Sequence, residues 1–450
     1  MRIAWVTPLV ARSAIGRVSI TVTEALAQTG DDVTLIGCEA EPPSEPLHAS
    51  SLKMLHWSEL AAGELETFDS VVVNLGDNYL FHGGVFPLLE QAPCLGVFHD
   101  FYLHNLFNGW LAARGLGGAA AEVEMVATYG ESCRELAQRA AAGQLHLTEL
   151  ADHFPMTEWV ASRCAGAMAH AEFYLNRLAS SCPGPVTFGR MPFGGRSAPE
   201  LPRRRRKRLK VLTVGVMNPN KCADKLIEGI AASPQLSDTV EYRLVGPIEP
   251  AERSRLEGLA VQLGYDRLRI VGPVDDQELA RELDEADIIC CLRNPVLEGS
   301  SASAIEGMLS GRPVIVADAG FYAELPDDMV FKSPADIPSK ALTSLLLRLA
   351  NDEPLRRAAG SRARAWAEQA FSLPGYCAAV REAMDMTTRA SPWLAVGRAL
   401  GEDIASLHLQ ADDPVIARIG GLLDGLLESP GPSVAAPGAR RPKRRAATPR

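Results

Sequence analysis

The chain has 450 residues, 22% of them charged, with a formal net charge of −10. That length calls for two or three domains, each able to bury its own core, and the acidic balance argues against general nucleic-acid binding. Nine cysteines with no CxxC pair and no secreted-type framework point to reduced thiols in a cytoplasmic setting and away from a zinc site.

The chain opens directly on a strand pattern, RIAWVTPL, without signal-peptide architecture. No apolar run approaches the roughly 20 residues of a membrane span, so a soluble intracellular protein is expected. Further strand patterns follow at DVTLIG, SVVVNLG and CLGVFHD, with GRVSITVTEALAQTG and HGGVFPLLEQA as helices between them. Gly16 falls in the loop after the first strand, where a missing Cβ lets backbone N–H groups approach a ligand. Asp77, Asn78 and His82 follow another strand end and are acceptor-side candidates, although loop polarity accounts for them almost equally well. His99 follows CLGVF at its carboxyl end, as a structural residue or as part of a site. Asp100 is placed to cap the helix read over FYLHNLFNGWL. The aromatics Phe98, Phe101, Tyr102, Phe107 and Trp110 have a spacing more often found in a core than at a membrane surface. Residues 113–180 are Ala-rich and helical in pattern, an insertion or flank of the first half.

The run PRRRRKRLK at 202–210 reads as an exposed basic linker, over 201–208, closing a first domain of residues 1–200. Its arginines are also suited to an anionic lipid surface. Beyond it, LKVLTVGV, VEYRLVGP, LRIVGPV, DIICCLR and RPVIVADAG alternate with helix-length amphipathic segments. Strands alternating with helices predict an α/β fold of two Rossmann-like, doubly wound parallel sheets. The second would span 209–371, followed by helices over 372–428 that pack back on the first domain. The Pro-, Ala- and Arg-rich segment 429–450 reads as a disordered basic tail, with anionic membrane as its candidate partner.

In such sheets, ligands bind outside the carboxyl ends of the strands. There the stretch EGSSASAIEGMLSGRPVIV sets Glu298 in a loop and Glu306 nearly two turns into a helix, roughly 8 to 10 Å further along its axis. Free N–H groups around Ser300, Ser301 and Ala302 would suit an anion at the helix start. Spacing alone favours the plainer account, with Glu298 a helix-start acid that suits the dipole and Glu306 an ordinary polar-face residue. Lys221, after the turn Asn218–Asn220, would sit at a helix start, where the dipole disfavours a cation unless a phosphate is bound. Neither half shows a clear GxGxxG after its first strand, which argues against a dehydrogenase.

The two-glutamate stretch with its LSGRPVIV turn resembles the donor-binding signature of bacterial glycosyltransferases of family 4. The likeness extends through GVMNPNKCADKLIEGI, LVGP, LRIVGPV, YAELPD and FSLPGY, over roughly residues 1–385. It implies the GT-B fold, with two Rossmann-like domains facing across a cleft, and a retaining transfer of sugar from a nucleotide diphosphate to a hydroxyl, without metal or other cofactor. The segment from NLGDNYLF to HNLF is similar to a branch associated with polysaccharide and glycolipid assembly, so the implied partners are a nucleotide sugar and a glycan or lipid-linked acceptor. By resemblance, Glu306 would hold ribose hydroxyls, Glu298 the transferred sugar, Lys221 the diphosphate, and His99 a hydroxyl near the sugar. Ser300, Ser301 and Ala302 would support the diphosphate through their amides. The family often places Arg where this chain has Val216, and Gly or Arg where it has Cys222. Arg293 or Lys225 would then have to supply the missing cation. The rivals are a nucleotide-sugar epimerase and a catalytically silent GT-B protein that binds nucleotide sugar or a partner transferase.

Overall fold

Parallel strands need crossover connections, and the alternation of strand and helix patterns leaves little freedom in how this chain folds. The computed structural model describes residues 1–193, 208–406 and 413–427. Its first sheet runs in the order β3 (Lys53–His56), β2 (Asp32–Gly37), β1 (Arg2–Thr7), β4 (Ser70–Leu75), β5 (Cys94–Phe98), β6 (Gly166–Ala169) and β7 (Val186–Phe188). The second runs β10 (Leu268–Gly272), β9 (Val240–Val245), β8 (Leu209–Val214), β11 (Ile288–Cys291), β12 (Val314–Ala317) and β13 (Phe331–Ser333). Neighbouring strands pair in parallel throughout both sheets. Strand order reverses between β1 and β4 and again between β8 and β11, which puts a ligand crevice at the carboxyl end of each sheet. The fold is therefore α/β with two Rossmann-like sheets, the GT-B architecture.

The central strands are apolar runs because helices cover both of their faces. Ile3 to Val6 and Val71 to Leu75 are all buried. One face of the first sheet is covered from far along the chain. Tyr376, Cys377, Val380, Ala383 and Met384, on the helix Leu373–Ser406, join Ile3, Trp5, Leu35, Leu95 and Met168 in one core. Arg381 reinforces that return with an ion pair to Asp31 at 2.7 Å. Residues Met1–Pro392 form one compact unit and Trp393–Arg450 another. The described part of the latter is the end of that helix and the helix Pro414–Leu427.

Several sequence-based placements are corrected. The segment 113–180 is not helical throughout: between the helices Thr157–Ala161 and Leu175–Ser181 it supplies β6, whose residues Gly-Ala-Met-Ala contain no β-branched side chain to mark a strand. Gly16 lies not in a loop but in the first turn of the helix Ala14–Gln28. Asp100 does not cap the following helix, which begins only at His104. Of the aromatic group, Phe98, Phe101, Tyr102 and Phe107 are buried in the core, so they offer no membrane face. The basic tail and nearly all of the basic linker lie outside the described residues. All nine cysteines are unpaired, and no described helix is long and apolar enough to cross a membrane.

Candidate functional site

The loops at the carboxyl end of the second sheet gather buried charge. After β8, the 3-10 turn Pro219–Lys221 brings Lys221 back over the strand, where its Nζ donates to Val214 O at 2.7 Å. Lys221 is only 8% exposed. The turn is tied to the loop after β11, for Asn294 N–H donates to Asn220 O at 2.9 Å. From that second loop, Arg293 is equally buried and pairs through Nε with Glu298 Oε1 at 2.7 Å. Tyr322, fully buried on the 3-10 segment Gly320–Glu324, donates to the same Glu298 oxygen at 2.6 Å and lies 2.8 Å from Ser301 Oγ.

These contacts set the local electrostatics. Burial would raise the Glu298 carboxyl, but Arg293, the Tyr322 hydroxyl and Lys221 outweigh it and hold Glu298 below its ordinary value. Burial, followed by the charge of Arg293, depresses the Lys221 ammonium to about 7 against the pull of Glu298. A doubly charged anion arriving here would relieve both costs, since it would pair with two cations held close together in a dry setting.

The helix Ala302–Leu309 starts at this point, capped by Ser301, whose Oγ accepts from Ala304 N at 3.3 Å. Ser300 is buried and its Oγ has no partner among the described residues, so a donor and acceptor are available beside unpaired helix N–H groups. Ala302 is exposed, and Glu306 stands half-buried on the same helix. Lys225 pairs with Glu228 at 3.4 Å, and Val216, where the resemblance often has Arg, is 59% exposed.

The first sheet contributes from the opposite side. His99 Nε2 lies 2.9 Å from Asn74 Oδ1. Asn74 Nδ2 donates to Val6 O, so its Oδ1 is an acceptor and His99 must carry its proton on Nε2, which leaves Nδ1 as an acceptor. Burial, with His170 and His82 adding to it, pushes the imidazole well below its usual range, so it is neutral at pH 7. The backbone around His99 meets the Glu298 loop directly: Gly299 N–H donates to His99 O, and Phe101 and Tyr102 N–H donate to Leu297 O, each at 2.9 Å. An antiparallel bridge between Asp100 and Glu298 results, and it brings the backbones of His99 and Glu298 together.

Other predicted residues serve the scaffold. Asp77 accepts from Asn105 N at 2.8 Å and from Leu106 N at 3.2 Å, so it is Asp77 that caps the helix His104–Ala113. Asn78 caps the short helix Tyr79–His82 through Leu80 N, and His82 is buried with Nδ1 3.0 Å from Asn74 O. Gly16 N–H is taken by Ser13 Oγ, and a Cβ there would collide with the Pro8 carbonyl and the His48 ring. Close packing therefore accounts for that glycine. Sequence reasoning gave no role to Asn74, Tyr174 or Tyr322, although Asn74 is the lone amide in the run SVVVNL and Tyr322 opens YAELPD.

Comparisons with known proteins bear on the fold and on the transferase class. Residues 199–366 match the family model described as glycosyl transferases group 1. The MMP alpha-(1->4)-mannosyltransferase of Mycolicibacterium hassiacum is 30% identical over 177 residues, which is 38% of this chain and 41% of that protein. The match thus spans about two fifths of that relative. Among solved structures, Anabaena HepE in complex with UDP and glucose superposes with a TM-score of 0.57 at 16% identity, over 85% of this chain and 98% of that one. Sucrose-phosphate synthase from Thermosynechococcus elongatus gives 0.57 at 18% identity, over 90% and 100%. At such identities these structures speak to the fold. Together with the group 1 match over residues 199–366 and the likeness to a mannosyltransferase, they support a glycosyltransferase of GT-B fold.

Proposed function

We propose that this chain is a retaining glycosyltransferase of family 4 that moves a sugar from a nucleoside-diphosphate donor to a hydroxyl acceptor in polysaccharide or glycolipid assembly. The observation that carries the reading is the buried group Lys221, Arg293 and Glu298 beside the unpartnered Ser300 hydroxyl, at the start of the helix that bears Glu306. In this reading the diphosphate lies against Lys221 and the amides of Ser300 to Ala302, while Glu306 takes the ribose hydroxyls. Glu298 and His99 Nδ1 hold hydroxyls of the transferred sugar. The anomeric bond to phosphate breaks as the acceptor oxygen bonds to the same face of the anomeric carbon, and the departing phosphate oxygen takes the acceptor proton. Lys221 and the helix amides stabilise the charge that develops on the leaving group.

Thermal unfolding against UDP-, GDP- and ADP-sugars tests the donor site. Ligand at about 100 times its dissociation constant adds roughly 2.7 kcal/mol, so one nucleotide class should raise the melting temperature of the wild type and leave Lys221→Met unmoved. A second reading, a silent GT-B protein, draws on the exposed Val216 and on Lys221 Nζ being already engaged with Val214 O. Under that reading Glu298→Ala would preserve cellular function, and loss of function in the folded variant would eliminate it.

A further inference from the structure

Asp100 read from the sequence as a helix cap, but Asp77 performs that task and leaves the Asp100 carboxylate for something else. Its Oδ2 accepts one hydrogen bond, from Asp77 N at 2.9 Å. Among the described residues, Oδ1 has no hydrogen-bond partner and no cation pairs with the group. At Gly76 the loops after β4 and β5 meet the helix residues Ile15 and His82: an added Cβ would stand 3.3 Å from Asp100 Oδ2, 2.7 Å from His82 Nε2 and 2.6 Å from the Ile15 side chain. Only a residue without a side chain lets these groups gather so closely at the strand end. Asp100 also follows His99 directly and is bridged through its backbone to Glu298. It therefore lies between the two residues assigned to the transferred sugar.

We propose that Asp100 is a catalytic residue on the acceptor side, its Oδ1 taking the hydrogen bond of the attacking hydroxyl. This rests on the transferase reading and deepens it. The carboxylate holds the acceptor hydroxyl in line with the anomeric carbon until the new C–O bond begins to form; as the C–O bond to phosphate breaks, the hydroxyl proton turns from Oδ1 to the departing phosphate oxygen and leaves with it. The protein gains and loses no proton. The surroundings leave Oδ1 to a neutral hydroxyl donor. Asp77 from the loop after β4, Glu298 from the loop after β11, Tyr174 after β6 and the neutral His82 stand near the group, and none of them supplies positive charge. Burial, resisted by the Asp77 amide and aided by the charge of Glu298, raises its carboxyl to about 7. The hydrogen-bond-accepting form thus gains population as pH rises through neutrality.

The test compares the wild type with Asp100→Asn, which keeps an oxygen for the Asp77 amide. Release or transfer of sugar is followed from UDP-glucose, GDP-mannose and ADP-glucose, to water and to octyl glycosides, from pH 5.5 to 9. The wild-type rate should climb with pH through about 7. Asp100→Asn should lose this limb and fall by about 100-fold, the size of a lost positioning contact, while its donor-induced melting shift stays at the wild-type value. A wild-type rate flat across pH 7, a variant as active as the wild type, or a variant that loses the donor shift would each overturn the assignment. Absence of any transfer by the wild type would instead overturn the transferase reading itself, and the role of Asp100 with it.

Discussion

Lys221 shows what one buried residue imposes. Its ammonium is depressed to about 7 from an ordinary 10.5, first by burial and then by Arg293. Between those two values the unfolded chain binds more protons than the folded one, so the contribution of this residue to stability rises with pH across the window and is lost as pH falls through about 7. The stability of the wild type relative to Lys221→Met, followed by urea unfolding, should accordingly increase from pH 7 to pH 10. A diphosphate beside the lysine would restore its proton. Donor binding near pH 8 should therefore take up protons, seen in calorimetry as a heat that varies with the ionisation enthalpy of the buffer; no uptake would remove Lys221 from the diphosphate site. The residue types of this site were legible in the stretch from Glu298 to Val316 and in the lysine after its turn. The burial of Lys221 was not, because it depends on the chain folding back onto Val214, and local sequence carries no sign of that return.

At the scale of elements, the bridge between the loops after β5 and β11 is the feature that composition hides. It consists of backbone hydrogen bonds, which any residues can make, and its only sequence trace is Gly299. A Cβ there would meet Tyr174 Oη at 2.6 Å and His99 O at 3.0 Å. Tyr174 cannot yield freely, since its hydroxyl donates to Phe98 O at 2.9 Å and accepts from His170 N at 2.8 Å. Gly299→Ala should destabilise by about 1–3 kcal/mol, as overpacked sites do, and lower activity by parting His99 from Glu298. Tyr174→Phe in the same chain should recover part of the melting temperature, because it removes the nearest colliding atom. A variant that melts with the wild type would show that the bridge is dispensable. The strands themselves divide by chemistry. Runs such as SVVVNL and VIVA declare themselves through branched side chains, whereas Gly-Ala-Met-Ala of β6 is indistinguishable from the Ala-rich helices that precede it.

For the whole molecule, the alternation of elements made the α/β class and the two sheets readable, since parallel pairing admits few other topologies. Which helix covers which face was a matter of long-range packing. The exposed pair Arg17–Asp276, at 3.1 Å, spans the two sheets but contributes little in water. The buried contacts of the helix Leu373–Ser406 with the first sheet weigh far more.

That late helix gives the chain a temporal order. During synthesis the strands of the first sheet emerge early, yet the face bearing Ile3, Trp5, Leu35 and Leu95, to which Ile20, Val22 and Leu26 give only part of a cover, is not complete until Tyr376 to Met384 have left the ribosome. Nascent chains that ordinarily settle domain by domain must here keep part of an apolar surface open through nearly three hundred further residues. A chain cut before Leu373 never receives its cover. It should be recovered in the insoluble fraction and return to solution when the segment 373–392 is supplied as a separate peptide; a soluble, cooperatively melting truncation would show that the first sheet closes without it.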